Sequence, residues 1–441
     1  MSYISKMERY FKIKPPSSLT KEQNEAYEAF KQGRNLLITG QAGTGKSHLI
    51  QKLVDYCNHM EKTVAITAMT GTASSLIGGK TIHSWGSLGI GNRDAKYYSE
   101  KILASWPKKT KWKKCRVIII DEVSMLTAQF FELIEEVARN VRGSGRPFGG
   151  IQVVLIGDFY QLPPVSKASD PQKFCFESER WEDVIDHKIT LTEIIRQKEP
   201  AFQKVLSEVR VGRPSRETID IIRSRVGIKP STETGILPTI IYSKREDVDK
   251  INEREFNKLA SEEILEYDVH YEITGDKALK MKDDEYTMWV DIIDKDSNYI
   301  KKLQLAVGTQ VMLLTNLDQE RGLVNGSRGV IIDFVDGFPY VRFINGDVEK
   351  IVHHSYSYEI NATTQITAKQ IPLDLAWCTT IHKSQGQSLD SIQINIGRNI
   401  FECGQTYVAL SRVRSLEGLF IEEFDESKIR VNPVVAKYFN E

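Results

Sequence analysis

Four short apolar runs in the first part of the chain each end on a polar or glycine-containing turn: NLLITG (35–40), TVAITA (63–68), RVIIIDE (116–122) and QVVLIGD (152–158). Unbroken β-branched runs of this length, with helical stretches between them, predict strands buried on both faces of a parallel sheet. Ligands of such sheets gather in the crevice at the carboxyl ends of the strands. From about Gly308 to Ile360 the pattern changes: GTQVMLLTN, RGVIIDFV, PYVRFI and VEKIVHH are short strands divided by Asn325-Gly326, Asp336-Gly337 and Asn345-Gly346. Those dipeptides favour tight hairpin turns and predict a small β-barrel. After Ile371, IPLDLAWCTT, SIQINIG and GLFIEEF restore the parallel-sheet texture, so the barrel is expected as an insertion within a second α/β unit.

Composition narrows the class without naming a partner. The 441 residues are 41% hydrophobic and 27% charged, and 59 Lys and Arg balance 59 Asp and Glu, so any nucleic-acid surface must be local. The apolar runs are strand-length, which predicts no membrane span. The first 18 residues hold no apolar leader core, so a cytoplasmic protein is expected. Five cysteines with no CxxC pair predict reduced thiols and no structural zinc. One local basic stretch stands out, KILASWPKKTKWKKCR (101–116), with Trp106 and Trp112 among its lysines and no acidic residue. It suits a nucleic-acid strand through charge and stacking, but taken alone the preferred reading is a solvated basic loop leading into a buried strand.

Candidate chemistry begins with GQAGTGKS, from Gly40 to Ser47, which follows a predicted strand and precedes the helical HLIQKLVDYC. In this pattern Gly40, Ala42, Gly43, Thr44 and Gly45 present backbone amides to phosphate oxygens. Lys46 reaches the outer phosphates and Ser47 can hold magnesium. Asp121 and Glu122 arrive at the end of another buried strand, placing Asp121 for magnesium and Glu122 for orienting or deprotonating an attacking water. Gln161, after Gly157-Asp158, offers a neutral amide able to report on a γ-phosphate. The expected ligands are therefore ATP and Mg²⁺. Arg196 in LTEIIRQ and Arg412 in YVALSRVRS, both expected outside the first α/β unit, are candidates for neutralising charge on the transferring phosphoryl group. The polar stretch TTIHKSQGQSLD (379–390) is too rich in His, Lys and Gln to read simply as a connector.

Taken in order, LTKEQNEAYEAF, GQAGTGKS, TAMTGTASSLIGGKTIHSW, DEVSM, FGGIQVVLIGDFYQLPPV, LTEIIRQ, TTIHKSQGQSLD and YVALSRVRSLEGL resemble the motif set of Pif1 helicases in superfamily 1, from residue 19 to about 420. The resemblance implies two RecA-like P-loop α/β domains, at 1–190 and 191–441. A small wedge-bearing 1B insertion is implied near 86–110 and an SH3-like 2B insertion within about 308–370. It implies that Gln23 meets the adenine, that Gln161 and Arg196 contact the γ-phosphate, that Arg412 is the arginine finger, and that Gly386 lies near the nucleotide. Thr70, Thr72, His83 and Trp85 in the first domain, with His382, Lys383, Ser384 and Gln385 in the second, would line single-stranded DNA. The implied activity is ATP-dependent 5′→3′ translocation on single strands with unwinding at single-strand/duplex junctions. A monomer is implied in isolation, with single-strand-binding or replication and repair proteins as partners. Thr127, where an acidic residue is common, and Tyr160, where Phe is usual, depart from the family pattern. The absence of a long N-terminal extension suggests a bacterial, phage or viral cytoplasm. Two rival readings remain at this level, an RNA helicase and a nucleotide-dependent clamp that does not translocate.

Overall fold

In the computed structural model the described residues are 19–440, except 90, 165–171, 231–234, 260–262, 276–280, 298, 319 and 361–363. The expectation drawn from the first 18 residues lies outside them. The chain divides between Gln197 and Lys198, later than the 190/191 boundary expected, and the segment from Pro433 onward returns to the first unit.

In the first unit the unbroken apolar runs form the centre of a six-stranded parallel sheet. Its strands are β1 (Leu36–Gly40), β2 (Val64–Ala68), β3 (Lys80–Thr81), β4 (Val117–Asp121), β5 (Gln152–Gly157) and β6 (His187–Leu191), in the order β3-β2-β4-β5-β1-β6. Every residue of β1 and β4 is buried, as strands covered by helices on both faces require. One face packs Leu36, Ile38, Ile119, Val154 and Ile156 against Leu49, Leu53 and Phe30. Those last residues come from α1 (Lys21–Lys31) and α2 (Lys46–His59).

Three more helices are short and capped by their own sequence. Thr70 accepts from the Ala73 amide at the start of α3 (Gly71–Leu76), Thr81 caps α4 (Ile82–Gly86), and Asp94 caps α5 (Ala95–Leu103). The basic stretch expected as a loop ends α5 and then forms the whole of α6 (Trp106–Lys114). Trp112 is fully buried, packs 4.8 Å from Trp85 and donates its Nε1 hydrogen to the Gly86 carbonyl, while Trp106 remains 71% exposed. Only one of the two tryptophans is therefore available to a strand. The long α7 (Ala128–Arg142) starts on Thr127, whose hydroxyl accepts from the Phe130 amide at 3.1 Å. Asp, Asn, Ser and Thr all make good N-caps, so threonine does here what an acidic residue would do.

The second unit holds a smaller parallel sheet, interrupted by a large antiparallel insertion. After β7 (Thr239–Tyr242), the insertion runs through β8 (Leu265–Asp268), β9 (His270–Gly275), β10 (Lys302–Leu305), β11 (Gln310–Leu313), β12 (Arg328–Val335), β13 (Phe338–Phe343), β14 (Val348–Lys350), β15 (His354–Glu359), β16 (Thr364–Gln370) and β17 (Leu373–Leu375). Then β18 (Cys378–Thr380), β19 (Ile392–Ile396) and β20 (Leu419–Phe424) complete the parallel order β18-β7-β19-β20.

Strands β14-β13-β12-β11-β17 form one sheet and share a core with the antiparallel pair β8 and β10, through Tyr267, Leu303, Leu305, Val311, Ile331 and Phe343. A second, three-stranded sheet, β15-β16-β9, packs Ile366 and Ala368 against Ile293 and Trp289 of the helix Asp283–Asp296. The insertion thus begins near residue 265, not 308. The expected hairpin turns are present: Asp336 and Gly337 both have positive φ, 53° and 75°, the combination a two-residue type I′ turn demands.

Among the described residues no helix is long and apolar enough to cross a membrane, and no group of three or more His, Cys, Asp or Glu could hold a metal ion. The five cysteines are unbridged, and burial pushes the Cys57 thiol up to about 11 and Cys115 up to about 12. These are inert core thiols.

Candidate active site

At the end of β1 the chain turns through Gln41–Gly45 and enters α2 with Lys46 as its first residue. Gly43 and Gly45 have φ of +88° and +79°. A Cβ at Gly43 would lie 2.7 Å from Gln197 Oε1 and 2.8 Å from Arg196 Cβ, and one at Gly45 would lie 2.6 Å from Gln23 Nε2. Both positions therefore exclude a side chain on backbone and on steric grounds. Thr44 and Ala42 are buried, Ser47 is exposed on the first helical turn, and the Lys46 ammonium donates to the carbonyls of Gly40 (2.7 Å) and Gln41 (3.0 Å).

Two neighbours brace this loop, and both change an expectation. Gln23 is fully buried: its Oε1 accepts from the Thr20 amide in a capping box, and its Nε2 donates to the Thr44 carbonyl at 3.0 Å. It sets the loop's shape, and would have to leave those partners to reach a base. Arg196 does not come from outside the first unit. Its amide and that of Ile195 donate to the Gly43 carbonyl, at 3.1 and 2.8 Å, so it is fastened to the same loop as Lys46.

The neighbouring strands bring the carboxylates. Asp121 closes β4, and its Oδ1 accepts from the Glu122 amide at 2.8 Å. Glu122 adopts a left-handed conformation, φ 55° and ψ 46°, uncommon for a side chain of this size and a form of strain that concentrates at functional sites. Burial, and after it the adjacent Glu122 carboxylate, raises the Asp121 carboxyl well above the usual carboxylate range, and Lys46 opposes this only in part. A carboxylate at the end of one strand and a hydroxyl on the first turn of the helix that follows another are donor types that fit a hard divalent cation.

Across β5, Asp158 holds a turn by accepting from Tyr160 and Gln161 amides. Gln161 is 6% exposed, and its Oε1 is buried without a hydrogen-bond partner. An orphaned buried acceptor is costly, and a ligand or water at the site would satisfy it.

The raised Asp121 value has a stability consequence whose sign is fixed. A carboxyl whose folded value lies above its unfolded one penalises the folded state fully above the raised value, and the penalty shrinks as pH falls below that value until it is gone at the ordinary carboxylate value. In magnesium- and nucleotide-free buffer at pH 8, Asp121→Asn should melt above the parent, by a few kcal/mol at about 1.4 kcal/mol per pKa unit. The gap should begin to narrow below about pH 7 and close near about pH 4, the unfolded carboxylate value. A thermal-melt series against pH checks this.

The strand-facing candidates of the first unit separate into two kinds. His83 stacks on Phe130 with centroids 4.3 Å apart and 11° between planes. The pair borders a cavity of about 930 Å³ also lined by Met69, Arg93, Met125 and Gln172. Nothing in the sequence singles out Phe130 or Met125; both read as ordinary helix or turn positions. Thr72 is partly exposed, whereas Thr70 is spent capping α3. Trp85 is packed on Trp112, with Lys111 Nζ 5.3 Å above its ring, so it belongs to the core and not to a stacking surface.

In the second unit, Thr380 caps the short helix Ile381–Ser384 by accepting from the Lys383 amide. His382 and Lys383 face outward, Lys383 paired with Asp374 at 3.3 Å. Ser384 is fully buried, its hydroxyl donating to Ile381, and Gln385 is 5% exposed. Ser384 is therefore structural where a strand contact was expected. Arg412 is 1% exposed and donates to the carbonyls of Val408 (2.7 Å), Ser384 (3.1 Å) and Gln387 (3.3 Å) and to Ser411 Oγ (2.6 Å). It ties the Ile381–Gln387 turn, with Gly386 at φ +79°, to the helix Gln405–Leu410.

Residues 18–218 match a family model described as PIF1-like helicase, and 294–334 match the DNA helicase Pif1 2B domain. The crystal structure of Pif1 helicase from Candida albicans is 34% identical, with a TM-score of 0.77 over 96% of this chain and 99% of that one. This chain belongs to the Pif1-like helicase family. The ATP-dependent DNA helicase PIF1 of Danio rerio is 40% identical over 96% of this chain but only 63% of its own length. Bacteroides Pif1 bound to ssDNA is 30% identical, with a TM-score of 0.65, covering 96% of this chain and 97% of that one. In this Pif1-family chain the two parallel-sheet units are the RecA-like domains, and the 2B match falls inside the β8–β17 insertion.

Proposed function

We propose that this chain is an ATP- and magnesium-dependent DNA helicase that moves 5′ to 3′ on single strands and opens duplexes at single-strand/duplex junctions. The observation that carries the reading is convergence. Lys46, the Asp121–Glu122 pair and the unsatisfied Gln161 oxygen come from the carboxyl ends of β1, β4 and β5, three adjacent strands of one sheet. The loop amides and Lys46 would take the phosphates, with Lys46 exchanging the Gly40 and Gln41 carbonyls for phosphate oxygens. Glu122 would orient and deprotonate the water, and Gln161 would bind it or the γ-phosphate. Magnesium, held by Ser47 and Asp121, would supply charge neutralisation of the phosphate oxygens.

Arg196 and Arg412 would add positive charge to the transferring group. Strand contacts fall to the outward residues Thr72, His83, His382 and Lys383. Support for DNA as the strand comes from the Bacteroides relative bound to ssDNA. The test is an ATPase assay with matched DNA and RNA strands, alongside unwinding of 5′-tailed and 3′-tailed duplexes. Stimulation by single-stranded DNA with unwinding from 5′ tails is expected; an ATPase indifferent to DNA, or unwinding only from 3′ tails, overturns the reading.

A further inference from the structure

The final residues pass from one unit to the other through almost no slack. On the second unit, Thr406 Oγ1 donates to the Lys428 carbonyl at 2.8 Å, and the Gly404 amide donates to the Arg430 carbonyl at 3.0 Å. Val431 lies so close to Gly212 that a Cβ there would meet its Cγ2 at 2.8 Å. Gly404 and Thr406 begin the helix Gln405–Leu410, whose far end carries Arg412. The helix Pro433–Asn440 then belongs to the first unit. Asn432 alone separates Val431 from the first residue of this helix, and the two Cα steps across it reach at most about 7 Å.

On the first unit the anchorage is aromatic and lands beside the nucleotide site. Tyr438 stacks on Phe176 at 4.1 Å and 12°, accepts from Trp181 Nε1 at 3.0 Å, and has Lys188 Nζ 5.1 Å from its ring centre. Phe439 lies 5.9 Å from Phe159 and 5.7 Å from Tyr160, the two residues between Asp158 and Gln161. Aromatic contacts of this kind contribute about 0.5–1.5 kcal/mol each beyond the area they bury. A pull on the terminal helix therefore reaches Phe176 and Trp181 through Tyr438 and the turn that holds Gln161 through Phe439.

We propose that Thr406–Phe439 is a short coupler that transmits displacement of the second unit to the Asp158–Gln161 turn, with Tyr160 and Phe439 as positioning residues. The proposal rests on the helicase reading above, because it assigns the pull to DNA-driven movement of the second unit. The chain itself then reports to the phosphate-sensing turn, independently of any residue touching nucleotide.

The test slackens the coupler without removing either anchorage. Inserting two, four or eight Gly/Ser residues between Asn432 and Pro433 should lower DNA-stimulated kcat progressively, about fivefold or more at eight. The KM for ATP and the DNA-free rate should stay within twofold, and melting curves should coincide with the parent. Phe439→Ala should lower DNA-stimulated kcat in the same direction, with Phe439→Leu intermediate. If the insertions leave stimulation intact, with or without an effect of Phe439→Ala, the helix only covers the first unit and the proposal is overturned. A parent ATPase that DNA does not stimulate points instead to failure of the helicase reading.

Discussion

Arg412→Ala should lose both hydrolysis and stability. An arginine that reaches the transferring phosphoryl group is worth about 10³–10⁵ in rate. In this structure the same guanidinium is 1% exposed and bonded to three backbone carbonyls and a hydroxyl. Removing it leaves the Ser384 and Gln387 carbonyls without that donor inside the second unit, at a cost of about 2–4 kcal/mol. Arg412→Lys retains charge but not the planar fork that spans Ser384, Gln387 and Val408, so it should recover little of either quantity. Steady-state ATPase measured well below each variant's melting midpoint separates the two losses. A variant destabilised but undiminished in kcat would make Arg412 purely a structural tie.

Glu122→Gln should nearly abolish turnover while leaving nucleotide binding in place. The amide matches the carboxylate in shape but cannot take a proton, and general-base assistance contributes about 10²–10⁴. Nucleotide affinity, read by fluorescence titration, should hold or tighten, since one carboxylate leaves a site built to receive phosphates. Glu122→Gly adds a second readout. It should be as inactive, yet it relieves the left-handed backbone at φ 55°, worth about 1 kcal/mol. Hydrolysis that survives either substitution would remove Glu122 from the chemistry.

The parallel sheets were legible because strands such as VIII and VVLI are apolar at every position, a pattern that burial on both faces alone explains. The phosphate loop was legible because glycine at 43 and 45 is the only residue that fits. What escaped was decided by tertiary packing. Six lysines and an arginine with no acidic residue make 101–116 read as a loop, although Trp112 plugs the core from α6. LEYDVHYEITG alternates apolar and polar residues as a half-buried strand does, but no Asn-Gly turn marks it, so the insertion was expected to begin later than β8 and β9. Motif order places Arg196 after the first sheet but not on which side of the division it stays, and the Gly43 carbonyl settles that. Ser384 was expected as a strand contact only from its place in the family motif, which does not say which way each side chain turns; here the chain faces inward at that residue and its carbonyl receives Arg412.

The out-and-back path of the chain also matters during synthesis. The first unit contains Pro433–Asn440, so it cannot be completed until all of Lys198–Asn432 has been made. Through that interval Phe159, Phe176 and Trp181 lack the cover that Tyr438 and Phe439 later give. Domains generally fold as units in the order of synthesis, at about 5–20 residues per second. Here the nascent first domain waits on the ribosome with an aromatic face uncovered, so a chaperone that shields such faces should raise the yield of folded protein more than slower translation would.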